Sequence, residues 1–218
     1  MLRAIPSERA VEMEVQDLPH IIESAEKHVT ELFREQLPEE AVYHSLEHTQ
    51  FVVDKSREIG QHSGLTESEL QLVELAAWFH DVGYLKQAKG HEDYSIKIAV
   101  PYLQNQGLNE DQIEFVVRCI EATRMPQQPK DLAGQVICDA DLSHFGMAGM
   151  YDKTMILLKE MRNLCLHELE DGQWLQMTID LLEHHEYFTP YARENFEEQK
   201  RINEKQIRQK LSEITPTH

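Results

Sequence analysis

An all-α fold is predicted by three observations. Nearly every periodic segment has apolar residues at helical spacing, and only nine glycines and eight prolines punctuate the 218 residues. The one strand-like run, Val136 to Leu142, is short, and its surroundings favour a buried helix. From Leu18 to Leu37, residues Ile21, Ile22, Ala25, Val29, Leu32 and Phe33 share one face of a helix that stops before Pro38. A second helix is expected near His44 to Ile59 with Leu46, Phe51, Val52 and Val53 inward, and Gly60 and Gly64 bracket a turn. Thr66 and Glu69 have the spacing of a capping box, so a third helix starts there and runs through LELAAWFH to an end marked by Gly83. Lys86 to Gly90 reads as a polar loop, His91 to Gln104 as a fourth helix, and Asn109 as the N-cap of a fifth reaching Thr123. RMPQQPKDLAG is a loop able to border a cleft, and from Met150 three further helices are broken near Gly172 and Pro190.

Length and charge narrow the function. A chain of 218 residues suits one substantial domain with an appended helical element. We divide it into an N-terminal segment, 1–17, expected to be flexible, a helical core over 18–188, and a charged C-terminal helix over 189–218. With 21 Lys and Arg against 39 Asp and Glu, the formal charge is −18. Such a surface repels phosphate backbones, which argues against a nucleic acid polymer or an anionic membrane as partner. It leaves room for a small anionic substrate, because a metal ion reverses the local potential inside one cleft. Cys119, Cys138 and Cys165 form no CxxC pair and suit buried thiols in a reducing compartment. MLRAIPSERAVEMEV lacks an apolar signal region and no long apolar stretch follows, so a soluble, cytoplasmic protein is expected. The Glu, Gln, Lys and Arg of FEEQKRINEKQIRQKLSE suit a solvated helix, or one that packs on a partner or a second copy in a homodimer.

The chemistry-bearing residues are dispersed over almost a hundred positions: His48 in YHSLEH, His80 and Asp81 in WFHDVGY, and Asp141 in ICDADLSHFG. A metal site inside a helical bundle needs such dispersal, because each helix can aim only one or two ligands inward. Adjacent helical positions differ by about 100°. His80 and Asp81 therefore reach one ion only if it sits off the helix end. His44 and His48 are four residues apart, which allows three readings: a direct metal pair, a ligand at His48 with His44 free to move protons, or a His44 that merely caps the helix. Asp139 and Asp141 lie among apolar neighbours, where a carboxylate is costly unless paired or bound to a metal. They point in different directions on a helix, so one ligand and one structural residue are expected.

The ordered set YHSLEHTQFVV, AAWFHDVGYL, GHEDYS, IEATR and DADLS, over about residues 40 to 146, resembles the HD superfamily of metal-dependent phosphohydrolases. The resemblance implies an all-helical HD-domain bundle with His48, His80, Asp81 and Asp141 as ligands of one divalent ion, whether Mn, Ni, Co, Fe, Zn or Mg. Asp141 is preferred to Asp139 because the ADL triplet looks like the segment in which relatives place their last ligand. Dinuclear members add two histidines; here His91 is a candidate for the first position, while IEATRM offers Thr123 and Arg124 at the second, so one metal is expected. An oxygenase on this scaffold would need the missing histidine. Val82-Gly83-Tyr84 replaces the acidic pair of the guanosine tetraphosphate hydrolases, and that substrate is set aside. His44 stands where the cyclic nucleotide phosphodiesterases carry a proton donor.

Such a metal acidifies water and polarises a phosphoryl oxygen. Lys86, Lys89 and Arg124 are then candidates to hold phosphate, and His44 or His91 to protonate the leaving group. His144, His184 and His185 have no recommending partner and read as structural or exposed. The function expected is hydrolysis of a phosphomonoester or phosphodiester bond in a small phosphorylated compound, a nucleotide first among them. The other class considered is a catalytically silent metal- or nucleotide-binding signalling module.

Overall fold

The first helix, α1 (Asp17–Gln36), buries Leu18, Ile21, Ala25, Val29 and Phe33 along one stripe and ends two residues before Pro38. The structure is a computed structural model describing residues 17–164, 166 and 169–214. Residues 1–16 of the N-terminal segment, Cys165 and residues 215–218 lie outside the described residues. Cys119 and Cys138 are buried free thiols.

The second helix, α2 (Leu46–Ser63), begins later than its apolar pattern suggests. Tyr43 and His44 donate their backbone N–H groups to the Glu160 carboxylate at 2.7 and 3.0 Å, which commits that stretch to a distant helix and leaves Ser45 as N-cap. Gly60 lies inside α2, and the turn falls on Gly64, whose φ of 87° is in the left-handed region. α3 (Glu67–Phe79) opens with the Thr66/Glu69 capping box and is buried from Leu70 to Phe79, as befits a central helix enclosed by α1, α2, α5 (Glu110–Ala122) and α6 (Leu132–Leu142). A short 3₁₀ turn, Val82–Leu85, follows, and α4 (His91–Asn105) crosses it closely.

Gly83 explains that crossing. A Cβ there would lie 1.9 Å from the His91 carbonyl oxygen, so only glycine lets the first turn of α4 rest on the residues after His80-Asp81. Ser95 locks the contact, donating to the His80 carbonyl at 2.5 Å and accepting from Gly83 N–H at 2.9 Å.

The helix expected over Val136 to Leu142 starts earlier, at Leu132, because Asp131 caps it by accepting from Gly134 N–H. After a 3₁₀ turn, Ser143–Gly146, come α7 (Met150–Asn163), α8 (Asp171–His184) and α9 (Pro190–Ile214). Gly172 sits in the first turn of α8 and does not break it, since Glu170 and Gln173 form a capping box there. Pro190 opens α9, where the N–H that proline lacks has no helical partner to lose. All nine α-helices among the described residues thus follow without a strand, in keeping with the expected all-α bundle.

Two apolar clusters hold these helices. The larger joins α1 to α6 with Tyr187, Ala192 and Phe196; the smaller joins Phe145, Met150, Leu158, Trp174, Leu175, Ile179, Leu182 and Ile207. The C-terminal helix is not simply solvated. Its Phe196 backbone covers Gly146, and its buried Asn203 donates to the carbonyls of Phe145 and Met147, both at 2.7 Å, fixing the turn after α6. Among the described residues no helix is long and apolar enough to cross a membrane.

Candidate metal centre

Three helix ends converge on one buried point. α2 supplies His48 from its first turn, the C-terminal end of α3 supplies His80 and Asp81, and the last turn of α6 supplies Asp141. Ligand atoms of His48, His80 and Asp141 lie within 4.8 Å of one another. Asp81 Oδ2 joins them at 3.1 Å from His80 Nε2 and 3.4 Å from His48 Nε2, and Asp141 Oδ1 is 3.2 Å from His48 Nε2.

The donor set fits a divalent cation. His80 Nδ1 lies 2.8 Å from the Ala77 carbonyl, an arrangement in which it donates and leaves the Nε2 lone pair facing the cluster. His80 Nε2 and Asp81 Oδ2 are buried and have no hydrogen-bond partner, although they stand close together. Buried polar atoms are rarely left so, and a shared cation satisfies both. The electrostatics agree. Burial opposes a charged His48, yet the carboxylates of Asp141 and Asp81 outweigh it and raise its pKa to about 9. Burial likewise opposes ionisation of Asp81, but the imidazoles of His80, His48 and His91 hold its carboxyl well below the ordinary value. A field that attracts protons so strongly also attracts a metal ion.

Asp139 is placed elsewhere. It is fully buried and accepts the backbone N–H groups of Phe188 and Thr189 at 2.8 and 2.7 Å, tying α6 to the start of α9. Two residues on a helix separate the roles, as the opposed directions of Asp139 and Asp141 require.

Above the cluster opens a cavity of about 430 Å³, lined in part by His44, Asp81, Tyr84, His91, Asp141 and His144. His44 lies in the turn before α2, so it shares no helix with His48. Its ring stacks on Tyr84 with centroids 3.8 Å apart, and its Nδ1 pairs with Glu160 Oε1. Glu160 is fully buried; burial opposes its charge, and the hydrogen bonds from His44 and Tyr43 bring its pKa below the ordinary value. His91 Nδ1 lies 3.0 Å from the Ala88 carbonyl and Nε2 3.1 Å from Asp81 Oδ1. Burial works against charge at His91 as well, but Asp81 prevails and raises its pKa to about 9, and the ring braces Asp81 through this contact.

The cations expected at phosphate sit differently. Arg124 pairs with Glu92 at 3.2 Å and Asp93 at 2.7 Å, outside the cavity lining. Lys86 and Lys89 are exposed and also outside it, because the 3₁₀ turn ends at Leu85 and directs the loop to solvent. Thr123 does line the cavity, at the place where a second metal-binding histidine was sought.

The family model for the HD domain matches residues 41–146. The chain carries an HD domain. Its fold is shared by the Lin1889 protein of Listeria innocua, at 20% identity over 92% of this chain and 99% of that one, with a TM-score of 0.66. A predicted HD superfamily hydrolase from an uncultured Thermotogales bacterium aligns at 18% identity over 87% of this chain and 92% of that one, with a TM-score of 0.58. No curated protein matches the sequence. At these identities the two structures speak for the fold alone.

The HD domain accounts for the cluster but not for everything around it. Glu160 and much of the cavity wall come from α7 and α8, beyond residue 146. Sequence reasoning missed Glu160, Tyr43, Tyr84 and His144. His144 Nδ1 lies 3.0 Å from the Asp141 carbonyl and its Nε2 3.2 Å from the Tyr43 hydroxyl, while burial and then the neighbouring His48 push its pKa down to about 4. Its signal was only the spacing to Asp141, three residues on from a proposed ligand and hence on the same side of the chain.

Proposed function

We propose that this HD-domain protein is a divalent-metal-dependent phosphohydrolase acting on a small phosphorylated compound. The observation that carries the reading is the convergence of His48, His80, Asp81 and Asp141 on one buried point reached from the cavity through Asp81 and Asp141, with His80 Nε2 and Asp81 Oδ2 buried and unsatisfied. These four residues would hold one ion, which supplies acidified water and polarises a phosphoryl oxygen. The remaining work falls to the chain itself. His91 holds Asp81 in place from the side. Glu160 takes the Nδ1 proton of His44 in a hydrogen bond and leaves Nε2 to carry a proton to the departing oxygen. Tyr84 fixes the plane of that ring by stacking. In the reaction a water oxygen bonds to phosphorus, the phosphorus bond to the organic oxygen breaks, and that oxygen leaves with one proton as the alcohol.

The test is phosphate release by protein loaded in turn with Mn, Ni, Co, Fe, Zn or Mg, across a panel of mononucleotides, cyclic nucleotides and simple phosphate esters. Metal-dependent release that disappears in His80→Ala is expected. Release by His80→Ala at the wild-type rate, or none with any metal and ester, would overturn the proposal.

A further inference from the structure

The cavity wall opposite the ligands has no counterpart in the metal chemistry. It is formed by Phe145, Leu157, Met161, Trp174, Met177 and Leu181, with no lysine or arginine among the described residues of the lining. Its polar atoms are already engaged with one another. Trp174 Nε1 donates to the Thr154 carbonyl and hydroxyl, both at 3.0 Å, and Thr178 Oγ1 donates to the Trp174 carbonyl at 2.9 Å. A sugar or a second phosphate would find few unengaged donors along this wall. The mouth is apolar as well, with Met125 53%, Met177 47% and Leu181 37% exposed. Past Met125, Leu142 and Leu181 the space adjoins a second cavity of about 340 Å³ that reaches Phe188.

Charge selects in the same direction. Two carboxylates and one divalent ion sum to zero at the floor, His91 is committed to Asp81, and Arg124 to Glu92 and Asp93. A single phosphoryl group is accommodated by the metal alone, whereas a diphosphate or triphosphate brings further negative charge with no lysine or arginine among the described lining residues to meet it.

We infer that the substrate is a phosphate monoester whose organic group is a hydrocarbon, seated against the Met161, Trp174 and Met177 wall with its one phosphoryl group on the metal. This rests on the phosphohydrolase reading for the reaction but not for the binding preference. Each methylene buried against such a wall should tighten binding about three- to fourfold. Polarisable methionines suit hydrocarbon groups of varied shape.

The test measures calorimetric affinity of Mn-loaded full-length protein for ethyl-, butyl- and octylphosphonate, with pyrophosphate and a nucleoside triphosphate as contrasts. The dissociation constant should fall by about threefold or more per added methylene, and octylphosphonate should bind more tightly than either contrast. Met177→Gln, at a half-exposed position that folding tolerates, should flatten the dependence on chain length several-fold. Affinity independent of chain length, or tighter binding of pyrophosphate, would overturn the inference. The corresponding alkyl phosphates are then assayed for phosphate release. A steep chain-length dependence of binding without turnover supports the inference and counts against the phosphohydrolase reading alone.

Discussion

The two halves of the molecule meet the cavity with opposite chemistry. Helices α2, α3 and α6 bring imidazoles and carboxylates to a buried point, where a divalent cation would compensate their desolvation. Helices α7 and α8 line it with methionine, leucine and tryptophan, and Glu160 of α7 reaches back to His44 on the other side. The difference separates what the site does from what it accepts. The candidate metal ligands lie in the HD half, and the apolar wall against which we infer the organic group sits lies in the half beyond it.

Asp139 and Glu160 both bridge the halves, and each provides a way to break the comparison. Asp139 is the stronger tie. Replacing it by alanine leaves the half-buried N–H of Phe188 and the buried N–H of Thr189 without an acceptor, and a loss of about 2–4 kcal/mol in unfolding free energy is expected by denaturant titration. Metal content per folded chain should stay at the wild-type value, since Asp139 faces α9 and not the cluster. Loss of metal from a stably folded Asp139→Ala protein would show that the division between ligand and tie is wrong.

Glu160→Gln sharpens the comparison at smaller scale. The amide keeps the shape but removes the charge facing His44 Nδ1, so kcat should fall about 10- to 100-fold with KM little changed. An unchanged kcat would reduce Glu160 to a structural anchor for the Tyr43–His44 turn.

Much of the HD half was legible in the sequence. The candidate ligands stand in short segments with recognisable neighbours, and the helices around them have strong apolar periodicity and real capping residues at Thr66 and Asn109. The errors lay where long-range contacts decide. His44 looked helical until Glu160, 116 residues away, claimed its backbone. Gly83 was read as a helix end, whereas its role is to admit the α4 backbone. Lys86 and Arg124 were placed at phosphate because positive charge near a ligand invites that reading; neighbouring carboxylates and the direction of a loop place them elsewhere. The apolar wall was invisible for a plainer reason. A methionine that lines a cavity has the same helical spacing as one that fills a core, and no pattern in one chain tells them apart.

The central claim is that four residues from three helix ends hold one divalent ion. Elemental analysis of purified wild-type protein and of the folded His80→Ala and Asp141→Ala variants, after loading with Mn and removal of excess metal, tests it most directly. One equivalent per wild-type chain and less than a tenth of that in each variant is the predicted result, given roughly 3 kcal/mol or more lost with a ligand at a buried charged site. Two equivalents in the wild type, or full occupancy in either variant, would contradict the account.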